Sequence, residues 1–143
     1  MNCFSNGGGT VVKTESLGTI LVADDQKGVR KLLYEMFSRE HFSVLLASDG
    51  CEAVKKIQEA QPDIVLLDVK MPGMDGLETL RTLQSLKQPA WVVLMTAYGE
   101  IEVIKEAMEL GAVKHISKPF DVKELADMVL DLRQKQLAGK SPY

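Results

Sequence analysis

Carboxylates follow two apolar segments that are typical of buried strands. Asp24 and Asp25 come directly after the apolar residues 20–23, and Asp68 comes directly after the apolar residues 64–67. Because the carboxyl ends of parallel strands meet at one edge of a sheet, we expect these acids to lie together. Three clustered carboxylates repel one another unless a cation neutralises them. The spacing therefore predicts an all-oxygen site for Mg²⁺ or Mn²⁺, with Asp68 available as a nucleophile towards phosphorus.

A hydroxyl and an ammonium group extend this candidate site. Thr96 comes directly after the apolar residues 92–95, and Lys118 follows the mainly apolar segment 112–116. At the same sheet edge, Thr96 is suited to bond a phosphoryl oxygen, and Lys118 to supply a second positive charge. Phosphoryl transfer mainly needs positioning and charge neutralisation, and this set of side chains offers both. A lone aspartate after a strand is usually a turn former or helix cap, and Thr96 or Lys118 alone indicates almost nothing, so it is their combination that indicates chemistry.

Five strands that alternate with five helices are needed to position these groups. Strands that are apolar throughout are typical of a sheet covered on both faces, and right-handed crossovers favour a doubly wound, mostly parallel sheet. We expect Gly111 to close the fourth helix and Asp121 to cap the fifth, while Asp49-Gly50 predicts a turn. The pattern predicts strands at 20–23, 43–46, 64–67, 91–95 and 113–116, and helices at about 27–39, 51–60, 77–86, 101–110 and 122–136.

Length and composition indicate a single globular domain. The chain has 143 residues, of which 45% are hydrophobic and 26% are charged, an ordinary mix for one core. We expect a flexible N-terminal tail over residues 1–17, because that segment is polar and rich in glycine. The domain is expected over residues 18–136 and a C-terminal tail over residues 137–143, which is too short for an effector module.

Charge and hydropathy exclude several classes of function. The net charge of -3 gives no support to a basic surface for nucleic acid. No segment approaches the roughly 20 apolar residues of a membrane span, and the N-terminus lacks the pattern of a secretion signal. Cys3 and Cys51 do not indicate a disulfide framework. We therefore expect a cytoplasmic protein that binds neither nucleic acid nor membrane. A monomeric state is a separate expectation that these features do not determine.

Four motifs together resemble the receiver domain of two-component response regulators. They are Val22-Ala23-Asp24-Asp25, the segment from Leu66 through Asp68 to Gly76, Met95-Thr96-Ala97, and Ser117-Lys118-Pro119-Phe120. The resemblance covers about residues 18–133. It implies a flavodoxin-like α/β fold, in which a five-stranded parallel sheet of order 2-1-3-4-5 carries helices on both faces.

The resemblance also implies a role for each site residue. Asp68 is the phosphoacceptor, Thr96 is the switch hydroxyl, and Lys118 pairs with the phosphoryl group. The Lys118–Pro119 peptide is expected to be cis. The protein would be a phosphotransfer intermediate that catalyses its own phosphorylation and dephosphorylation, rather than a conventional enzyme. Mg²⁺ is held by the carboxylates of Asp24, Asp25 and Asp68 and by the main-chain carbonyl of Lys70.

Position 115 departs from the family pattern. The switch position there usually carries Tyr or Phe, whereas this chain has His115. One interpretation is a partly buried histidine that packs like an aromatic residue. The other is a weakened switch, because no large ring moves between buried and exposed states. A receiver with a weak switch would pass its phosphate on rather than change shape for a bound target.

Further residues resemble the stand-alone regulators of sporulation phosphorelays. Such a regulator takes phosphate from a sensor histidine kinase and gives it to a histidine phosphotransferase, and an aspartyl-phosphate phosphatase would be a further partner. Helical geometry puts Leu32 roughly 60° from Val29, so Leu32 is either an exposed docking residue or an ordinary core leucine. The resemblance implies a partner surface formed by Gln26, Gly28, Val29, Leu32, Lys70, Tyr98, Pro119 and Phe120.

Other functions also use a strand-end aspartate. A chemotaxis-like receiver would bind a target through its phosphorylated face, and a receiver fragment would serve a longer transcriptional regulator. A haloacid-dehalogenase-type phosphatase needs a second acid where this chain has Lys70. A calcium loop that starts at Asp68 is disfavoured because Lys70 occupies a ligand position and Thr79 stands where the bidentate Glu belongs.

Overall fold

Five strands alternate with five helices along residues 16–143, the part of the chain that the computed structural model describes. This confirms the predicted alternation, and element ends differ from the predicted ones by at most two residues. The strands are β1 (Thr19–Ala23), β2 (Ser43–Ala47), β3 (Ile64–Asp68), β4 (Trp91–Ala97) and β5 (Lys114–Lys118). The helices are α1 (Lys27–Arg39), α2 (Gly50–Ala60), α3 (Gly76–Ser85), α4 (Ile101–Glu109) and α5 (Val122–Leu137).

The strands form one parallel sheet in the order β2-β1-β3-β4-β5. This confirms the doubly wound architecture and the implied strand order. The register aligns Asp68 with Met95, and Ala97 with Lys118. Because the strands are parallel, the candidate site residues at their carboxyl ends reach the same edge of the sheet.

A separate hydrophobic cluster covers each face of the sheet. On one face, residues such as Leu21 and Leu67 pack against α2, α3 and α4. On the other face, residues such as Ile20 and Leu66 pack against α1 and α5. Successive strand residues point to opposite faces, which explains why β3 is buried at every position. Each fully buried leucine or isoleucine contributes about 1.5–3 kcal/mol, so the central strands anchor the residues at their ends.

Aspartates cap three of the helices. Asp121 accepts hydrogen bonds from the backbone N–H groups of Lys123 and Glu124, which confirms its predicted role. Asp49 and Asp75 cap α2 and α3 in the same way. None of the helices within residues 16–143 is both long enough and apolar enough to cross a membrane.

The turn predicted at Asp49-Gly50 lies one residue earlier, because the chain bends at Ser48 and Asp49, and Gly50 is the first residue of α2. The glycine serves a close approach between elements. A Cβ at Gly50 would lie 2.4 Å from both the Met74 carbonyl oxygen and the Thr79 hydroxyl oxygen. Gly111 follows α4 with φ +103° and closes that helix as predicted.

The residues near each end of the chain can be compared with the predicted bounds of the domain. The tail prediction falls mostly on residues 1–15, which lie outside the described residues. Leu17 is bonded to the domain, since its N–H donates to the His41 carbonyl at 2.8 Å and its own carbonyl accepts from Arg133 Nε at 2.6 Å. Helix α5 ends at Leu137, one residue into the predicted C-terminal tail. The bounds 18–136 stay a prediction.

Gly76→Ala should destabilise the fold by about 2 kcal/mol, the scale of an overpacked site. A Cβ at Gly76 would lie 2.5 Å from the Asp68 carbonyl oxygen and 2.7 Å from Val69 Cα, and both are rigid backbone atoms. Gly28→Ala is the matched control, because a Cβ there meets nothing within 4 Å. It should stabilise α1 by roughly 0.5 kcal/mol. Urea unfolding measures both changes, and equal midpoints for Gly76→Ala and the wild type would refute the steric argument.

Candidate functional site

Three carboxylates meet at the carboxyl edge of the sheet. One oxygen from each of Asp24, Asp25 and Asp68 lies within 4.8 Å of the other two. Asp24 is 0% exposed and Asp68 is 6% exposed, whereas Asp25 is exposed to solvent. The cluster therefore has two acids set into the protein by the ends of β1 and β3, and a third acid at the rim.

Both carboxylate oxygens of Asp24 accept hydrogen bonds from neighbouring groups. Its Oδ1 accepts a hydrogen bond from the Gln26 N–H at 2.8 Å, and its Oδ2 accepts one from Lys118 Nζ at 2.6 Å. The Asp24 carbonyl also accepts from Arg30 Nη1 at 2.8 Å. A buried charge needs such partners. Asp24 thus holds the entry into α1 and the ammonium of Lys118 in place.

The ammonium of Lys118 lies between two of the acids. It is 2.6 Å from Asp24 Oδ2 and 3.5 Å from Asp68 Oδ1, and it approaches Gln26 Oε1 at 3.4 Å. Lys118 is the last residue of β5, so the sheet directs its cation to the acidic cluster. A partly buried ammonium beside the Asp68 carboxylate suits the binding of a further anionic group there.

The positive charge of Lys118 does not balance the negative charge of the three carboxylates. Burial and the neighbouring charge of Asp24 raise the pKa of Asp68 to about 6, and Asp25 adds to the effect. The Lys118 ammonium and the Lys70 backbone N–H act in the opposite direction without overcoming it. Burial and like charges both disfavour the ionised form of a carboxyl group. An additional cation would favour that form.

The donor atoms of the cluster fit a hard divalent cation. They are all carboxylate oxygens, which Mg²⁺ and Mn²⁺ prefer, and the exposed Asp25 leaves the site open to solvent. A cavity of about 290 Å³ adjoins the cluster and is bordered by Asp25, Asp68 and Lys70. Lys70, whose carbonyl the resemblance assigns to the metal, is therefore at the site.

Thr96 and His115 are placed differently from the charged residues. Thr96 is 1% exposed and does not border the cavity. Its hydroxyl donates a long hydrogen bond of 3.4 Å to the Ile116 carbonyl. His115 is exposed, so the interpretation in which it packs like a partly buried aromatic is wrong. The weakened switch stays a prediction.

The residues predicted to form a partner surface are mostly accessible. Leu32 is 46% exposed, which excludes the alternative of an ordinary core leucine. Tyr98 is 91% exposed, and the Lys118–Pro119 peptide is cis as the resemblance implied. Val29 and Phe120 are partly buried. The other members, Gln26, Gly28, Lys70 and Pro119, are exposed, and the use of the whole set in docking stays a prediction.

Sequence reasoning did not single out Glu100 as a site residue. Its Oε1 accepts a hydrogen bond from the Ala97 N–H at 3.2 Å and lies 3.8 Å from Lys70 Nζ. Glu100 also borders the cavity. No spacing rule predicts this contact, because it depends on the path of the loop between β4 and α4.

Comparisons with known proteins agree with the fold and the motifs. The sequence profile of the response regulator receiver domain matches residues 20–130. Sporulation initiation phosphotransferase F of Bacillus subtilis (strain 168) is 46% identical over 110 residues, which cover 77% of this chain and 89% of that protein. Regulatory protein AtoC of Escherichia coli (strain K12) is 38% identical over 125 residues, which cover 87% of this chain but 27% of that protein.

A solved structure extends the likeness to three dimensions. The receiver domain of the Francisella response regulator 1452 superposes with a TM-score of 0.78 at 28% identity. The superposition covers 83% of this chain and 98% of that chain.

Asp68→Asn should stabilise the metal-free protein above about pH 6. Since the pKa of Asp68 is raised from 3.8 to about 6 on folding, the native state binds this proton more tightly than the unfolded chain does. Wild-type stability therefore falls as pH rises from about 4 to about 6 and stays lower above that range. The neutral amide of the variant avoids this loss.

Thermal unfolding with a chelator tests this expectation. The midpoint of Asp68→Asn should exceed that of the wild type by roughly 5 °C at about pH 7.5, and the difference should vanish near pH 4. Glu35→Gln, which alters an exposed carboxylate on α1, is the control and should show no such dependence. A constant difference across this range would contradict the raised pKa.

Proposed function

Because this chain belongs to the response regulator receiver family, we propose that it accepts a phosphoryl group from a sensor histidine kinase on Asp68. The surroundings of Asp68 carry this proposal. Its carboxylate ends the central strand, is 6% exposed, borders the cavity and lies 3.5 Å from the Lys118 ammonium. A nucleophile held beside a cation, with open space in front of it, meets the main demands of phosphoryl transfer.

The proposed step conserves atoms and charge. A carboxylate oxygen of Asp68 attacks the phosphorus of a phosphohistidine, and an O–P bond forms as the P–N bond breaks. The electron pair of the P–N bond stays on the imidazole nitrogen, and a proton on the other ring nitrogen makes the leaving group a neutral histidine. The product is an acyl phosphate on Asp68. Lys118, held by Asp24, neutralises part of the phosphoryl charge.

The acidic cluster also supports a metal requirement. Mg²⁺, or Mn²⁺ in its place, would be held by Asp24, Asp25, Asp68 and the main-chain carbonyl of Lys70, and would neutralise the acids and a phosphoryl oxygen. In the same proposal Thr96 is the switch. Its hydroxyl exchanges the long bond to the Ile116 carbonyl for a phosphoryl oxygen. That exchange would couple the phosphorylation of Asp68 to β4 and β5.

We further propose that the protein passes the phosphoryl group to a histidine phosphotransferase in a sporulation-type phosphorelay. Support comes from 46% identity to a sporulation initiation phosphotransferase along 89% of that protein. The exposed His115, which offers no large ring to bury, fits transfer better than a shape change for a bound target. An aspartyl-phosphate phosphatase is a further proposed partner. The same proposal includes a cytoplasmic location, a monomeric state, and no binding to nucleic acid or membrane.

Asp68→Asn should abolish phosphorylation, because an amide cannot form the acyl phosphate. Incubation with acetyl phosphate and Mg²⁺, followed by intact mass measurement, should show one added phosphoryl group on the wild type and none on the variant. Asp127→Asn, which changes an exposed acid on α5, should be labelled like the wild type. Normal labelling of Asp68→Asn would move the phosphoacceptor to another residue.

Leu32→Ala should slow transfer between this protein and its histidine-bearing partners by about tenfold, the effect of one lost apolar anchor. Labelling by acetyl phosphate should be unchanged, since the small donor needs no docking surface. Leu86→Ala is the matched control, because Leu86 is 42% exposed but follows α3, on the opposite face of the sheet. Rapid-quench assays with a phosphorylated sporulation kinase measure the rates. Equal slowing with both donors would refute docking through Leu32.

A further inference from the structure

Glu100 places a carboxylate at the edge of the phosphoacceptor cavity. It immediately precedes α4, yet its side chain does not cap that helix. The side chain turns back instead, so that Oε1 accepts the Ala97 N–H at 3.2 Å. The side chain is 17% exposed, whereas that of its ion-pair partner Lys70 is 77% exposed. The Glu100 carboxylate is thus mostly buried and accepts a hydrogen bond from a backbone N–H group at the site.

Ala97 borders the same cavity as Asp68. It ends β4 and pairs in register with Lys118. A phosphoryl group on Asp68 would bring three oxygens that share negative charge into this space. Such oxygens are stabilised by N–H and ammonium donors. The Glu100 carboxylate therefore occupies a donor that is suited to a phosphoryl oxygen.

The charge of Glu100 is also separate from the acidic cluster. The three acids that could share a metal ion are Asp24, Asp25 and Asp68, so a cation bound there would not neutralise Glu100 directly. The only cation paired with Glu100 in the described residues is Lys70, at 3.8 Å and largely in solvent. Because the Lys70 ammonium is exposed, solvent screens its attraction to Glu100. An incoming anionic donor would thus meet a negative charge at the cavity even when the cluster holds its metal.

We propose that Glu100 sets the rate at which Asp68 accepts a phosphoryl group. Its carboxylate competes with the incoming phosphoryl oxygen for the Ala97 N–H and repels anionic donors as they approach. Loading requires the bond between Glu100 and Ala97 to break, after which Lys70 can hold the released carboxylate at the surface. This inference rests on the proposed function of Asp68 as the phosphoacceptor.

The rate of loading tests the proposal directly. The wild type, Glu100→Gln and Glu100→Ala are incubated with Mg²⁺ and acetyl phosphate, and the adduct is followed by intact mass. Glu100→Gln should load about fivefold faster, which corresponds to about 1 kcal/mol in the barrier. Glu100→Ala, which removes the acceptor as well as the charge, should load at least as fast. The matched control is Glu102→Gln, an exposed acid in the first turn of α4, which should load like the wild type.

Ionic strength supplies a readout that a purely structural role of Glu100 would not move. Salt screens the repulsion between Glu100 and the anionic donor, so the loading rate of the wild type should rise with ionic strength more than that of Glu100→Gln. The Mg²⁺ concentration that gives half-maximal loading should be the same for both proteins.

Several outcomes would overturn the proposal. Equal or slower loading of Glu100→Gln would show that Glu100 does not restrain the reaction. A tenfold increase in the Mg²⁺ requirement of that variant would make Glu100 part of the cation site instead. These outcomes differ from failure of the proposed function, which would appear as the absence of any adduct on the wild type.

Discussion

The carboxyl edge of the sheet holds three acids within 4.8 Å of one another and one ammonium group among them. The structure tolerates this repulsion because the acids at the ends of β1 and β3 follow strands that are buried by apolar layers on both faces. Lys118 satisfies Asp24 but leaves Asp68 with a raised pKa. The same imbalance that disfavours the ionised metal-free site would favour a bound cation.

Close contacts between backbone segments maintain the geometry around the acidic cluster. Gly76 begins α3 directly against the backbone of Asp68 and Val69, with no room for a Cβ. Gly50 allows α2 an equally close approach to Met74. These contacts join the loop after β3 to the helices on one face of the sheet. Asp68 therefore ends a buried strand and is held against the start of α3.

Several groups at the rim of the site lie on loops rather than on strands. Lys70 follows β3, Glu100 follows β4, and Pro119 follows β5. Loops of this kind can move without disturbing the packed sheet beneath them. Asp24 and Asp68 thus lie at the ends of buried strands, whereas these loop residues lie at the rim of the site. Exposed apolar residues such as Leu32 and Tyr98 continue this rim onto the surface.

Local sequence patterns determined the elements and the residues at their ends. Buried parallel strands need continuous apolar runs and amphipathic helices need a 3.6-residue period, so the alternation and the strand-end positions of Asp24, Asp68 and Lys118 follow from the sequence. The cap at Asp121 is equally local, because it bonds N–H groups two and three residues away. The resemblance to receiver domains rested on these same segments and was confirmed by the family profile.

Contacts between distant segments were decided only by the tertiary structure. Gly50 begins α2 against Met74 and Thr79, with no room for a Cβ, and no local pattern indicates this close approach. The pKa of Asp68 depends on burial and on charges from other strands. The exposure of His115 and the contact between Glu100 and Ala97 depend on side-chain direction and loop path. Periodicity specifies which face of an element is buried, but only packing specifies what each polar group meets.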